Sequence, residues 1–302
     1  TNSLMNTLFV ILGPTGVGKT DLSIEVASML GTSVISCDSR QIYRELSIGV
    51  ASPSPEQLAA VKHYFIATRS VDEHYSAGQY ELDALPIIER EIAANGCAVM
   101  VGGSMLYIDA VCRGIDDIPT IDEELRRSVR RIYDEQGIEE VRRRLRLLDP
   151  QHYAEVDLRN VKRMLHALEV CYQTGQPFSK LRTGSVKRRS FDIVKIGLDC
   201  PREVLYDNID RRVLKMIQQG LEQEVRSVSD KRHLNALNTV GYKEMFAYLD
   251  GEYDLDRAIE LIQRNTRHYA KKQLSWFKRD SKIQWFSPYD RQRILDMLSI
   301  RH

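Results

Sequence analysis

Short, unbroken apolar runs alternate along this chain with stretches whose apolar positions recur every three to four residues. Leu8–Leu12 is an apolar run rich in β-formers; glycines follow it, then a helical pattern from Thr20 to Leu30. Thr32–Ser36 predicts a second strand, Tyr64–Ile66 a short third and Cys97–Val101 a fully apolar one closed by Gly102-Gly103. Ile193–Leu198 predicts a late strand that rejoins the same sheet. Apolar strands that alternate with helices predict an α/β fold, a parallel sheet with helices on both faces.

Between Ile121 and Arg182 the pattern changes. No strand signal occurs there, only helical runs at Glu123–Asp134, Ile138–Leu148 and Leu158–Thr174. Residues 121–182 are therefore expected to form an all-helical insertion, with 1–120 and 183–302 making the sheet domain. From Arg202 to Phe277 the chain is again mostly helical, punctuated by Gly220, Gly241 and Gly251. Internal repeats and low-complexity linkers are absent from the sequence.

Composition narrows the class. Hydrophobic residues make up 43% and charged residues 28% of 302 residues, enough to bury a sizeable core. The net charge of +1 says nothing about a nucleic-acid partner, so any basic surface must be local. Five cysteines, none in a CxxC pair, argue against a disulfide framework or a zinc site and for a reduced, cytoplasmic protein. Leu8–Leu12 is too short for a signal peptide, and no apolar window is long enough to span a membrane. Thr1–Leu4, ahead of Met5, are read as a cloning remnant and set aside.

Gly13-Pro14-Thr15-Gly16-Val17-Gly18-Lys19-Thr20 matches the GxxxxGK[ST] phosphate-loop pattern between a strand and a helix. Glycines let successive N–H groups curl inward, and the following helix adds positive potential. Lys19 supplies a point charge to a phosphate, and Thr20 a hydroxyl for Mg2+. The loop recognises a diphosphate without saying what is attached to it. Nucleotide hydrolases add an acidic residue after a second apolar strand; here Cys97–Val101 ends in glycine, while Asp38 and Asp199 follow other apolar segments. A small-molecule kinase stays open on this ground. Asp38, at the carboxyl end of the second strand, is either a helix N-cap or a proton acceptor facing the loop.

The sequence then stops being generic. GPTGVGKT, CDSRQIY at 37–43, VGGSMLY at 101–107, ALEV at 167–170 with Thr174-Gly175, VGYKE at 240–244 and TRHYAKKQLSWF at 266–277 stand in one order over nearly the whole chain. Together they resemble the bacterial tRNA dimethylallyltransferase family. That resemblance implies a P-loop NTPase-like core. It also implies transfer of a dimethylallyl group from its diphosphate to N6 of the adenine beside the anticodon (position 37), in tRNAs reading codons that begin with U. It further implies that the loop holds dimethylallyl diphosphate with Mg2+, that the adenine is flipped into a channel, and that the helical insertion closes on the anticodon stem-loop. The zinc finger of eukaryotic relatives is absent, in keeping with the cysteine spacing.

Carried over by position, the catalytic set is Asp38 as base, Lys19, Thr20 and an arginine on the leaving diphosphate, with Gln41 reading the adenine edge. The family commonly has arginines at both 208 and 212; here the first is Asn208, so Arg212 becomes the candidate, with Arg202 or Arg211 as substitutes. The tRNA contacts fall on Asp38, Ser39, Arg40 and Gln41; on Ser104 and Arg126; on Lys162, Arg163, Met164, Leu165 and His166; on Asn238, Thr239, Val240, Gly241, Tyr242 and Lys243; and on Lys271, Lys272, Gln273, Leu274, Ser275, Trp276, Phe277 and Lys278. Ala67 stands where relatives often carry aspartate, and His63 reads as structural.

Local charge supports an RNA partner independently. Asp157–Ser190 holds eight Lys or Arg against two acids, and Arg264–Arg279 six against none, with Tyr269, Trp276 and Phe277 interleaved. For Trp276 and Phe277, stacking on bases and packing in a core both stand. Arg142-Arg143-Arg144, beside Glu139 and Glu140, reads as a solvated helix face. Three rivals stand beside this reading: a related transferase acting on free adenine nucleotides, a phosphate-loop kinase, and an RNA-binding protein that senses a nucleotide. The basic segment at 162–166 and the long insertion argue against the first. A monomer is expected.

Overall fold

The computed structural model describes residues 6–301, with only the backbone of Ile300 and Arg301; Thr1–Leu4 lie outside the described residues. The chain divides into two compact units, one formed by 1–112 with 188–302 and the other by 113–187. The helical unit is thus wider at both ends than 121–182.

In the first unit the strands are β1 (Thr7–Leu12), β2 (Val34–Ser36), β3 (His63–Tyr64), β4 (Cys97–Gly102), β5 (Asp192–Leu198) and β6 (Gln284–Phe286). They form one sheet in the order β3-β2-β4-β1-β5-β6, and every pairing is parallel. β6 carries no apolar run in the sequence and was not expected. Its helices are α1 (Lys19–Leu30), α2 (Pro55–Ala60), α3 (Ala77–Asn95) and α4 (Met105–Cys112) before the helical unit. The second unit contains α5 (Glu123–Leu148), α6 (Pro150–Glu155), α7 (Val161–Thr174) and α8 (Phe178–Leu181). The first unit resumes with α9 (Arg202–Gln218), α10 (Leu221–Ser227), α11 (Tyr242–Leu249), α12 (Leu255–Phe277) and α13 (Arg291–Arg301).

Strand alternation explains why both faces are covered. Leu8, Val10 and Leu12 of β1, Ile35 of β2 and Met100 of β4 point into one apolar layer with Tyr80, Ile88, Tyr242 and Phe277. Phe9 and Ile11, with Val34, Val99 and Val101, point into the opposite layer against Leu22, Val26, Ile209 and Leu298. All six residues of β1 and of β4 are buried. The central pair is fixed by cores on both sides, and the loops at its carboxyl ends inherit that rigidity.

The second unit has a core of its own. Val129, Val141 and Leu145 of α5 pack with Met164, Leu165 and Leu168 of α7. Within α5 the path breaks at Gly137 (φ 79°, ψ 179°), between the two helical runs read in the sequence. The arginine run is held by acids: Arg143 and Arg144 both reach Glu140, at 2.6 and 2.7 Å. Arg142 pairs with Glu139 and donates to the Leu158 carbonyl.

Candidate active site

The loop after β1 is shaped by glycines for two separate reasons. Gly16 (φ 84°) and Gly18 (φ 100°) lie in the left-handed region. Gly13 is there for space, because a Cβ on it would sit 2.7 Å from the Leu198 carbonyl of β5. Gly18 caps α1 without a side-chain hydrogen bond, so no capping side chain takes up the first-turn N–H groups. Lys19 lies across the loop, its Nζ donating to the carbonyls of Gly13 at 2.9 Å and Pro14 at 2.7 Å. Burial, and after it the Arg212 guanidinium, bring the Lys19 ammonium down to about 8 against the opposing pull of Asp38.

Arg212 is the arginine that α9 delivers to this loop. Its Nη1 donates to the Thr15 hydroxyl at 3.2 Å. Burial lowers its pKa, and Asp38 opposes that. Arg211 points away and pairs with Asp207 at 2.6 Å, and Arg202 is exposed at the start of the helix. Asn208 donates Nδ2 to the Gly16 carbonyl at 3.3 Å, so an uncharged amide fastens the loop where relatives commonly carry a cation.

Asp38 follows β2 and shares this electrostatic neighbourhood. No helix starts there. Its Oδ1 accepts the N–H groups of Arg40 (2.8 Å) and Gln41 (3.1 Å), which closes a turn instead of a helix cap. Oδ2 has no hydrogen-bond partner among the described residues. One oxygen therefore builds the turn and the other is left open to a ligand. Gln41 donates Nε2 to the carbonyls of Val50 and Ala51, both at 3.1 Å, which leaves Oε1 as an acceptor. Tyr269 stands near the same carboxylate; burial and then Asp38 push its phenol up to about 12.

The strand end between β1 and β2 closes the site. Gly102-Gly103 ends β4, and a Cβ on Gly102 would lie 2.6 Å from the Cys37 carbonyl. Ser104, buried, donates its N–H to that carbonyl at 3.3 Å, so it stands one residue from Asp38. The phosphate loop is braced from α12: Gln273 accepts the Thr15 N–H at 2.9 Å and donates to the Gly103 carbonyl at 2.9 Å. Sequence reasoning placed Gln273 among RNA contacts, but it is 2% exposed and ties the loop to β4. A lone polar residue in register with Ala270 and Phe277 on an apolar face was the available signal.

The other carried-over positions sort by burial. On α12, Lys271, Lys272, Ser275 and Lys278 are exposed, and Leu274 is half-buried. Phe277 is core, and Trp276 packs against that core while donating Nε1 to Asp109 at 3.1 Å. The packing reading holds for both aromatics. Lys278 also pairs with Asp199 at 3.0 Å, which accounts for the second aspartate. Around α11, Asn238 and Lys243 are exposed, Thr239 and Val240 half-buried, and Gly241 and Tyr242 buried. In the helical unit Lys162, Arg163 and His166 form the exposed face of α7, whereas Met164 and Leu165 are core. Arg126 and His166 converge on Glu169 there, at 3.9 and 3.5 Å. His63 is held through Nδ1 to the Val61 carbonyl at 2.7 Å. Ala67 takes φ 52°, a conformation that aspartate tolerates better.

Comparison with known proteins gives one answer. The family model described as IPP transferase matches residues 41–280. tRNA dimethylallyltransferase 1 of Bacteroides thetaiotaomicron is 52% identical over 298 residues, covering 99% of this chain and 97% of that protein. tRNA dimethylallyltransferase 2 of Porphyromonas gingivalis is 55% identical over 283 residues, 94% of each chain. The crystal structure of the tRNA isopentenylpyrophosphate transferase from Bacillus halodurans superposes with a TM-score of 0.71 at 33% identity, over 98% of this chain and 96% of that one. A eukaryotic dimethylallyltransferase acting on tRNA shares the fold, with a TM-score of 0.83 at 23% identity over 98% of this chain and 80% of that one.

Proposed function

The chain belongs to the IPP transferase family, and from that premise we propose that it moves a dimethylallyl group from dimethylallyl diphosphate to N6 of adenine 37 in tRNAs reading codons that begin with U, releasing diphosphate. The observation that carries the chemistry is a carboxylate oxygen without a partner among the described residues, Asp38 Oδ2, in the electrostatic reach of Lys19 and Arg212 at a phosphate loop.

An exocyclic adenine amine is a poor nucleophile and must lose a proton as the C–N bond forms. Asp38 Oδ2 takes that proton, and Gln41 Oε1 accepts from the same amine and orients it. The allylic C–O bond breaks with cationic character at carbon, and negative charge gathers on the departing diphosphate. N–H groups of Gly16–Thr20, the Lys19 ammonium and the Arg212 guanidinium stabilise that charge where it develops.

Thr20 is the residue that would hold Mg2+. Its hydroxyl makes no hydrogen bond among the described residues, and no cluster of three His, Cys, Asp or Glu among them could cage an ion. A single hydroxyl with phosphate and water oxygens is the donor set Mg2+ takes, so the residues fit it. Bound there, the ion would neutralise diphosphate charge. The tRNA would meet exposed basic residues on each unit: Lys271, Lys272 and Lys278 on the first, Lys162 and Arg163 on the second. The protein would act in the cytoplasm, as a monomer.

Labelled dimethylallyl diphosphate with Mg2+ and either unmodified tRNA, AMP, or ATP with small metabolites tests this. Label on tRNA with negligible ATP hydrolysis is the expected result. Label on AMP and none on tRNA would move the protein to the free-nucleotide transferases, and phosphoryl transfer from ATP would make it a kinase.

A further inference from the structure

The Glu224 carboxylate on α10 is saturated with donors. Its Oε2 accepts the Ser47 N–H at 3.1 Å, the Ser47 hydroxyl at 3.0 Å and the Ile48 N–H at 2.8 Å. Its Oε1 accepts the Gly49 N–H at 3.0 Å and the Tyr242 hydroxyl. Glu224 also lines an open cavity of about 730 Å3 with Glu45, Ile48 and Gln223. A carboxylate has about four lone-pair sites, so five donors leave it nothing to offer a ligand in that cavity. Its role lies in what it holds.

What it holds is the turn behind Gln41. Ala51 in that turn takes φ 48°, a strained conformation that surrounding contacts must maintain. Gly49 lies so close to Tyr242 that a Cβ would sit 2.6 Å from the ring, so only glycine lets the turn settle over it. The next two carbonyls, Val50 and Ala51, are those that receive Gln41 Nε2. An unbroken path therefore runs from Glu224 through 47–49 and 50–51 to the Gln41 carboxamide. Tyr242 is fully buried, so this path accounts for its place in the VGYKE motif where direct RNA contact does not.

We propose that Glu224, with Tyr242 as its partner, is a positioning residue for the transfer reaction. By clamping residues 47–49 it fixes the Gln41 carboxamide with Oε1 turned to the acceptor amine. The inference rests on the reading of Gln41 given above. It concerns the acceptor side alone, since the diphosphate grip uses other residues.

A double-mutant cycle tests it. Glu224→Gln keeps the shape but sets an amide NH2 against N–H donors. Steady-state kinetics on unmodified tRNA should show kcat lowered about tenfold with the KM for dimethylallyl diphosphate unchanged. In a Gln41→Ala background the same substitution should lower kcat no further. Additive losses, or an unchanged kcat in the single variant, would overturn the clamp. Should Glu224→Gln fail to fold, Tyr242→Phe, which deletes one hydroxyl inside the core, goes through the same cycle under the same criteria. Wild-type protein inactive on tRNA would instead overturn the function and the clamp with it, so the two failures are told apart by the control.

Discussion

Asp38 shows how one side chain divides its work. The sequence leaves it between helix cap and general base, and the geometry gives one oxygen to a turn and leaves the other without a partner among the described residues. Asp38→Asn can keep the turn through its Oδ1 but cannot take up a proton. Turnover should fall by roughly 10^2 to 10^4 while tRNA affinity, measured by filter binding, stays near wild type; near-normal turnover would remove Asp38 as the base. Lys19 makes a second prediction. Its folded-state pKa is depressed to about 8, so raising pH through that value removes its charge well before an ordinary lysine would lose it. Affinity for dimethylallyl diphosphate, measured calorimetrically on the free protein, should therefore weaken with a break near pH 8. Lys19→Arg, charged throughout, should flatten the profile; a wild-type profile flat to about pH 10 would contradict the assignment.

At the scale of elements, the strands at the centre of the sheet were legible because burial on both faces leaves an unbroken apolar run, as in Leu8–Leu12 and Cys97–Val101. β6 was not legible. Its three residues are only half-buried, and an edge strand needs no apolar signature. The phosphate loop could be read from glycine spacing, but its brace could not. Gln273 lies far along the chain, amid exposed lysines, and only the fold brings it to Thr15 and Gly103. Gln273→Leu should strand a loop N–H and a strand carbonyl, costing about 1–3 kcal/mol in denaturant unfolding, and should raise the KM for dimethylallyl diphosphate. Unchanged stability and KM would show that the brace is dispensable.

For the whole molecule, the two-unit division was legible from the loss of strand signal, although its limits were not, since segments 113–120 and 183–187 lack regular periodicity. A net charge of +1 hides exposed basic faces on both units. Neutralising Lys271 and Lys272 together should weaken tRNA binding and reduce the slope of log K against log salt by roughly 0.7 per lost contact. An unchanged slope would take RNA off that face. A sequence block holds core and surface residues alike, so the positions carried over from it include side chains spent on folding: Met164, Leu165, Gln273 and Phe277. In the proposed mechanism main-chain amides around Gly16–Thr20 grip a leaving diphosphate while Asp38 stands opposite the reacting carbon. A crystal structure with a non-reactive thio analogue of dimethylallyl diphosphate tests it most directly. Phosphate oxygens should lie on those amides, Lys19 and Arg212, with the allylic carbon open toward Asp38; diphosphate bound elsewhere, or an allylic carbon turned away from that carboxylate, would overturn the mechanism.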